Sequence, residues 1–117
     1  MKKTLLVILA TLLCITSTTI AFAHPPKNVE LTWSAATNTL SVKASHLVNN
    51  PTKHYVMLFV VLDSSNKQIY TKQYTKQALD TTFADSAILK DIKTGDTIKV
   101  RLVCNIMGIV EKEIKLQ

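Results

Sequence analysis

From Val29 onward the chain is a succession of short stretches in which apolar and polar residues take turns. Val29, Leu31 and Trp33 alternate with polar neighbours, and Ala35-Ala36-Thr37-Asn38 reads as a turn. Leu40, Val42 and Ala44 then alternate with Ser41, Lys43 and Ser45, the period-two pattern of a half-buried strand. Tyr55 to Leu62 (YVMLFVVL) is apolar on both faces, as expected of a strand in the middle of a sheet. Asp63-Ser64-Ser65-Asn66-Lys67 turns into Gln68 to Tyr74, a hairpin partner. Residues 80–90 (DTTFADSAILK) are mixed and read as a strand with a loop. After a turn at Thr94-Gly95-Asp96, Ile98, Val100, Leu102 and Cys104 share one face, with Lys99 and Arg101 on the other. Gly108 permits a turn before a last strand carrying Val110, Ile114 and Leu116. About seven short strands, with turn signals between them and no helical period, predict an all-β fold: a single antiparallel β-sandwich over residues 24–117.

The residues before this domain have a different character. Met1-Lys2-Lys3 is positive, LLVILATLLC supplies an apolar stretch, and Ala21-Phe22-Ala23 is a small-x-small site. This pattern predicts a secretory signal peptide over 1–23, cleaved after Ala23, and hence a secreted or periplasmic protein. The apolar core is shorter than the roughly 18 residues of a membrane span, so no stable membrane anchor is expected after cleavage. Cys14 would leave with the leader, and Cys104 would remain as an unpaired thiol: buried, paired between chains, or bound to metal.

Charge excludes more than it assigns. Removal of Lys2 and Lys3 would take the formal charge from +6 to +4, and the remaining lysines are scattered rather than clustered. With few, dispersed aromatic residues, the chain offers no face for nucleic acid. A mild positive field suits a small anion instead. The chain holds 2 glycines and has no phosphate-cradling loop, and no Ser-His-Asp spacing or paired-carboxylate motif points to hydrolysis.

The candidate chemistry lies at strand ends. His46 continues the phase of Leu40, Val42 and Ala44, so its imidazole is expected to leave the strand on the inward side. His54 precedes the most apolar strand, and Cys104 closes another on its apolar face. His24 would stand at the start of the domain, free to reach the same rim. Imidazole and thiolate together are ligands for iron, copper or zinc.

The segment SHLVNNPTKHYV (45–56), followed by Cys104-Asn105-Ile106-Met107-Gly108, resembles the iron-binding domain of the superoxide reductases, the neelaredoxin and desulfoferrodoxin family. His24-Pro25-Pro26 matches that family's His-Pro segment, Lys53-His54-Tyr55-Val56 its Lys-His-Tyr-Ile, and Cys104-Asn105-x-x-Gly108 its Cys-Asn-x-His-Gly. The resemblance implies an immunoglobulin-like sandwich holding one ferrous ion (Fe2+). His24, His46 and His54 would be equatorial ligands and Cys104 the axial one, with superoxide reduced to hydrogen peroxide at the open position. It also implies a catalytic role for Lys53, whose charge would lie near that position, and an electron donor of unknown identity. Met107 stands where the family has its last histidine and would complete the metal sphere or leave that place to water. Leu47 replaces the family's usual proline, and the loop from His46 to His54 is longer than usual.

Two other readings stay open. Copper is the alternative cofactor, bound by His24 at a new N-terminus with Cys104 and Met107, which suit copper(I). A sandwich without a working metal site is the other, with Met107 and Cys104 serving as packing.

Overall fold

The computed structural model describes residues 24–117; the expected leader, with Cys14, lies outside the described residues. The alternating stretches form seven strands: β1 (Lys27–Ser34), β2 (Thr39–Ser45), β3 (Val56–Leu62), β4 (Gln68–Gln73), β5 (Thr82–Ile88), β6 (Thr97–Cys104) and β7 (Ile109–Lys115). The mixed segment 80–90 is thus β5 flanked by loops. No helix occurs among the described residues. One sheet has the order β1-β2-β5 and the other β4-β3-β6-β7, with every pairing antiparallel. This is the immunoglobulin-type arrangement, with the fourth strand paired beside the third rather than on the first sheet.

The core lies between the sheets and is built from the predicted inward positions. Leu40, Val42 and Ala44 of β2 and Phe83 and Ala87 of β5 meet Val56, Phe59 and Val61 of β3 and Ile98, Val100 and Leu102 of β6. Phe59 and Phe83 touch edge to face across the layers, with ring centroids 6.4 Å apart. Each of these side chains larger than alanine contributes about 1.5–3 kcal/mol when removed from water. The register of β3 on β6 shifts between Val56 and Leu58. That bulge adds one residue and resets the alternation, so Val56 faces the same interior as Phe59 and Val61.

The turns obey local chemistry. Asp63 Oδ1 accepts from the backbone N–H groups of Ser65 and Lys67 and from the Ser65 hydroxyl, closing the β3–β4 hairpin. Asn38 and Asn66 take the positive φ values, 50° and 62°, that asparagine tolerates better than most residues.

β5 carries a charge on its inward face. Asp85 lies between Phe83 and Ala87 in phase, and Lys72 and the Tyr74 hydroxyl, in and just beyond β4, donate to its Oδ2, Lys72 from 2.8 Å. This clasp ties the edge strands of the two sheets together. Burial acts to raise the Asp85 carboxyl, but the bonds from Lys72 and Tyr74 outweigh it and hold its pKa below the usual carboxylate value. Burial, followed by the bond to Asp85, pushes the Tyr74 phenol well above its ordinary value. On the opposite side Lys112 of β7 donates to the carbonyl of Val29 in β1 at 2.6 Å.

Antiparallel pairing places one set of strand ends together. Ser45 at the end of β2 pairs with Lys27 and Thr82, where β1 and β5 begin. Val56 at the start of β3 pairs with Cys104 at the end of β6. Residues separated widely in sequence therefore share one rim.

Candidate metal centre

His46 lies one residue beyond β2 and is wholly buried. Its backbone N–H donates to Thr81 O at 3.0 Å and that of Val48 to Asp80 O at 2.8 Å, which extends the β2–β5 ladder past the strand ends. The chain then turns over Asn50-Pro51-Thr52-Lys53. Asn50 Oδ1 accepts from the Thr52 N–H and hydroxyl, and the N–H groups of Lys53 and His54 return to Asn50 O. Asparagine followed by proline favours such a turn, through the Asn side-chain acceptor and the fixed proline φ. His54 emerges from it half-buried, directly above the β3 bulge.

Cys104 closes β6 and is 4% exposed. Its Sγ lies 3.2 Å from His54 Nε2. The ligand atoms of His46, His54 and Cys104 all lie within 4.8 Å of one another. A single ion with bonds of about 2.0–2.3 Å places perpendicular ligands about 3 Å apart and opposite ones about 4.5 Å apart. The trio therefore fits one ion with only small adjustment, and its nitrogen and sulfur donors suit a transition metal.

Asn105 locks this arrangement. Its Oδ1 accepts from the Tyr55 N–H at 2.9 Å, its Nδ2 donates to Lys53 O at 2.9 Å, and its backbone N–H donates to Tyr55 O at 3.0 Å. The side chain thus grips the residues on either side of His54 while its own backbone continues from Cys104. Gln77, in the β4–β5 connection, holds the other imidazole: His46 Nδ1 is 2.8 Å from Gln77 Oε1. Gln77 leaves no mark in the sequence, since a single glutamine in an irregular loop breaks no period and belongs to no spacing.

His24 joins the group as a ring. Its centroid is 5.3 Å from both His46 and His54, whose own centroids are 4.8 Å apart. Its Nε2 donates to Leu47 O at 3.0 Å, and its Nδ1 lies 3.3 Å from Pro25 O. The three rings are steeply inclined to one another, at 63–87°, in edge-type rather than stacked contacts. Burial, then the nearby imidazoles of His46 and His24, lowers the His54 pKa and favours the neutral, ligating form.

Met107 sits at the tip of the β6–β7 hairpin and is 65% exposed. The hairpin is closed by the Cys104 N–H donating to Gly108 O at 3.0 Å. Ile106 and Ile109 of the same hairpin are exposed as well, as is Leu47 next to His46 in the chain. Lys53 is exposed on the turn leading into His54.

No protein-family model matches the chain, and no curated protein matches it in sequence. Solved structures do match. Superoxide reductase (1Fe-SOR) from Giardia intestinalis superposes with a TM-score of 0.56 at 19% identity, covering 80% of this chain and 98% of that one. Superoxide reductase (neelaredoxin) from Ignicoccus hospitalis gives a TM-score of 0.44 at 18% identity, covering 80% of this chain and 81% of that one. The chain shares the superoxide reductase fold. At this identity the likeness concerns the sandwich, and the chemistry rests on the residues at its rim.

Proposed function

We propose that this chain is an exported mononuclear non-haem iron protein that reduces superoxide to hydrogen peroxide. The observation that carries the reading is the convergence of His46, His54 and Cys104 from three separate segments of a superoxide reductase fold. His46 and His54 would hold the metal by imidazole nitrogen and Cys104 by thiolate. His24 would add a third imidazole after releasing its bond to Leu47 O. Met107 would turn inward from the hairpin tip or leave its place to water.

Iron(II), when bound, supplies the electron that with two protons converts superoxide to hydrogen peroxide, and an external donor restores it. The protein's part is to hold and to attract. Asn105 fixes the His54–Cys104 pair, so these two ligands would reorganise little on metal binding. Lys53, with its backbone anchored by Asn105 and its ammonium group in solvent, draws the anion towards the rim. The inclined rings keep three imidazoles close without stacking.

Anaerobic loading with iron(II), followed by oxidation, tests this. A visible thiolate-to-iron absorption that disappears in Cys104→Ser is expected, with superoxide decay yielding peroxide and no dioxygen. Absence of the absorption, or its survival in Cys104→Ser, sinks the reading.

One observation favours a second metal. The exposed thioether of Met107, three residues from Cys104, is a soft donor suited to copper(I). Competition between the two metals decides. Copper(I) displacing iron(II) in the native chain, and losing that advantage in Met107→Leu, would favour copper.

A further inference from the structure

We infer that Gln77 is a positioning residue that holds His46 as the Nδ1–H tautomer and so presents Nε2 as its ligand atom. The inference rests on the metal-site reading above and adds a residue outside the ligand set.

Gln77 is 5% exposed, although it lies in an irregular connection whose neighbours Lys76 and Ala78 are exposed. Its carboxamide makes a full set of bonds. Nε2 donates to His46 O at 3.0 Å and to Leu79 O at 2.8 Å. Oε1 accepts from the Val56 N–H at 3.3 Å and faces His46 Nδ1 at 2.8 Å. Two donors and two acceptor sites are all that a carboxamide has.

Those partners fix which way the amide points. Rotated by half a turn, its NH2 group would meet the Val56 N–H, and its oxygen would meet two carbonyl oxygens. Three contacts oppose that rotation, so the oxygen faces His46. An amide oxygen only accepts, and His46 Nδ1 must therefore carry a proton. A neutral imidazole has one N–H, which leaves the lone pair on Nε2.

Nε2 in turn lies 3.3 Å from His24 O, near the long end of hydrogen-bond distances. With the proton on Nδ1, this places two electron-rich atoms side by side, an arrangement that a cation relieves. Free histidine in water prefers the opposite tautomer, so the protein works against the intrinsic preference. The same glutamine also grips the His46 carbonyl and, through its backbone N–H, Pro51 O at 2.9 Å. It therefore sets the position of the ring as well as the identity of its free nitrogen. Such outer partners fix tautomer and orientation in metal sites generally.

The test begins with the metal-free, 15N-labelled chain at mildly alkaline pH. Long-range proton–nitrogen correlation is expected to show the Nδ1–H pattern for His46. Gln77→Met, which keeps the volume but not the bonds, should shift His46 towards the Nε2–H form. It should also weaken iron(II) binding by about 10–100-fold. Gln77→Glu retains an oxygen facing Nδ1 and should restore both pattern and affinity, with lower thermal stability from two carbonyls left without a donor. His46 found as Nε2–H in the native chain overturns the inference, whether or not the variants fold. So does Gln77→Met with native pattern and native affinity. A native chain that shows the Nδ1–H pattern but binds no iron(II) supports the tautomer assignment and sinks the iron reading instead.

Discussion

His54 Nε2 stands 3.2 Å from Cys104 Sγ, although fifty residues separate the two. The closeness is built by the chain itself. Val56 and Cys104 are register partners on adjacent strands, and the bulge that follows Val56 lets His54 lean over the strand end. Asn105 then holds the residues flanking His54 against the β6 terminus. The chain's own hydrogen bonds hold the pair together, which lowers the ordering cost of binding a metal.

Asn105→Ala should expose how much that preformation matters. Two side-chain bonds are lost, and the Tyr55 N–H and Lys53 O lose their partners, for an expected cost of about 1–3 kcal/mol in urea denaturation. Iron(II) affinity should fall as well, because His54 is no longer held beside Cys104. Full affinity in the destabilised variant would show that the metal alone can assemble the pair.

Gly108→Ala should loosen the His24 segment. Gly108 has φ of +101°, and a Cβ there would come within 2.7–2.8 Å of Pro25. Positive φ and backbone contact together are expected to cost about 1–3 kcal/mol. The collision would lift Pro25 and weaken the proton–proton contacts between the His24 and His46 rings in NMR spectra. Thermal unfolding with native ring contacts throughout would count against this placement of Pro25.

Met107→His should be structurally mild and chemically informative. An exposed hairpin-tip substitution is expected to change stability by no more than about 0.5 kcal/mol. An imidazole there is expected to raise iron(II) affinity by adding a harder donor than thioether. Calorimetric titration of both forms checks this; equal affinities would place the tip out of reach of the metal.

The Asp85 clasp predicts an acid-labile sandwich. The folded-state pKa of Asp85 lies below its unfolded value, so its contribution is fully present above the ordinary carboxylate pKa of about 3.9. As pH falls through the lowered value, that contribution is lost. Urea midpoints followed from neutral to acid pH should drop less steeply in Asp85→Asn than in the native chain. Parallel curves would show that Lys72 and Tyr74 do not stabilise the ionised form. Glu111, whose carboxylate faces Arg101 in solvent, should show little such effect, since exposed pairs are well screened.

Most of the strand framework could be read along the chain because one face of each strand must be apolar. Leu40, Val42 and Ala44 stated their face locally, as did Ile98, Val100, Leu102 and Cys104. Segment 80–90 was harder for a definite reason. Asp85 occupies an inward position between Phe83 and Ala87, and a charge there breaks the apolar period unless partners from another strand meet it. Those partners come from the opposite sheet, Lys72 in β4 and Tyr74 just beyond its end.

The rim divides in the same way. His46, His54 and Cys104 stood out by residue type and by their places at strand ends, which local alternation specifies. By itself the sequence determined a seven-stranded sandwich and the inventory of metal-binding groups. Tertiary structure decided which groups converge, that Asn105 grips both sides of His54, and that Gln77 reaches His46. These contacts join residues 31 to 52 positions apart. Hydrophobic alternation is written residue by residue, whereas a hydrogen bond between distant loops exists only after the strands have set their register.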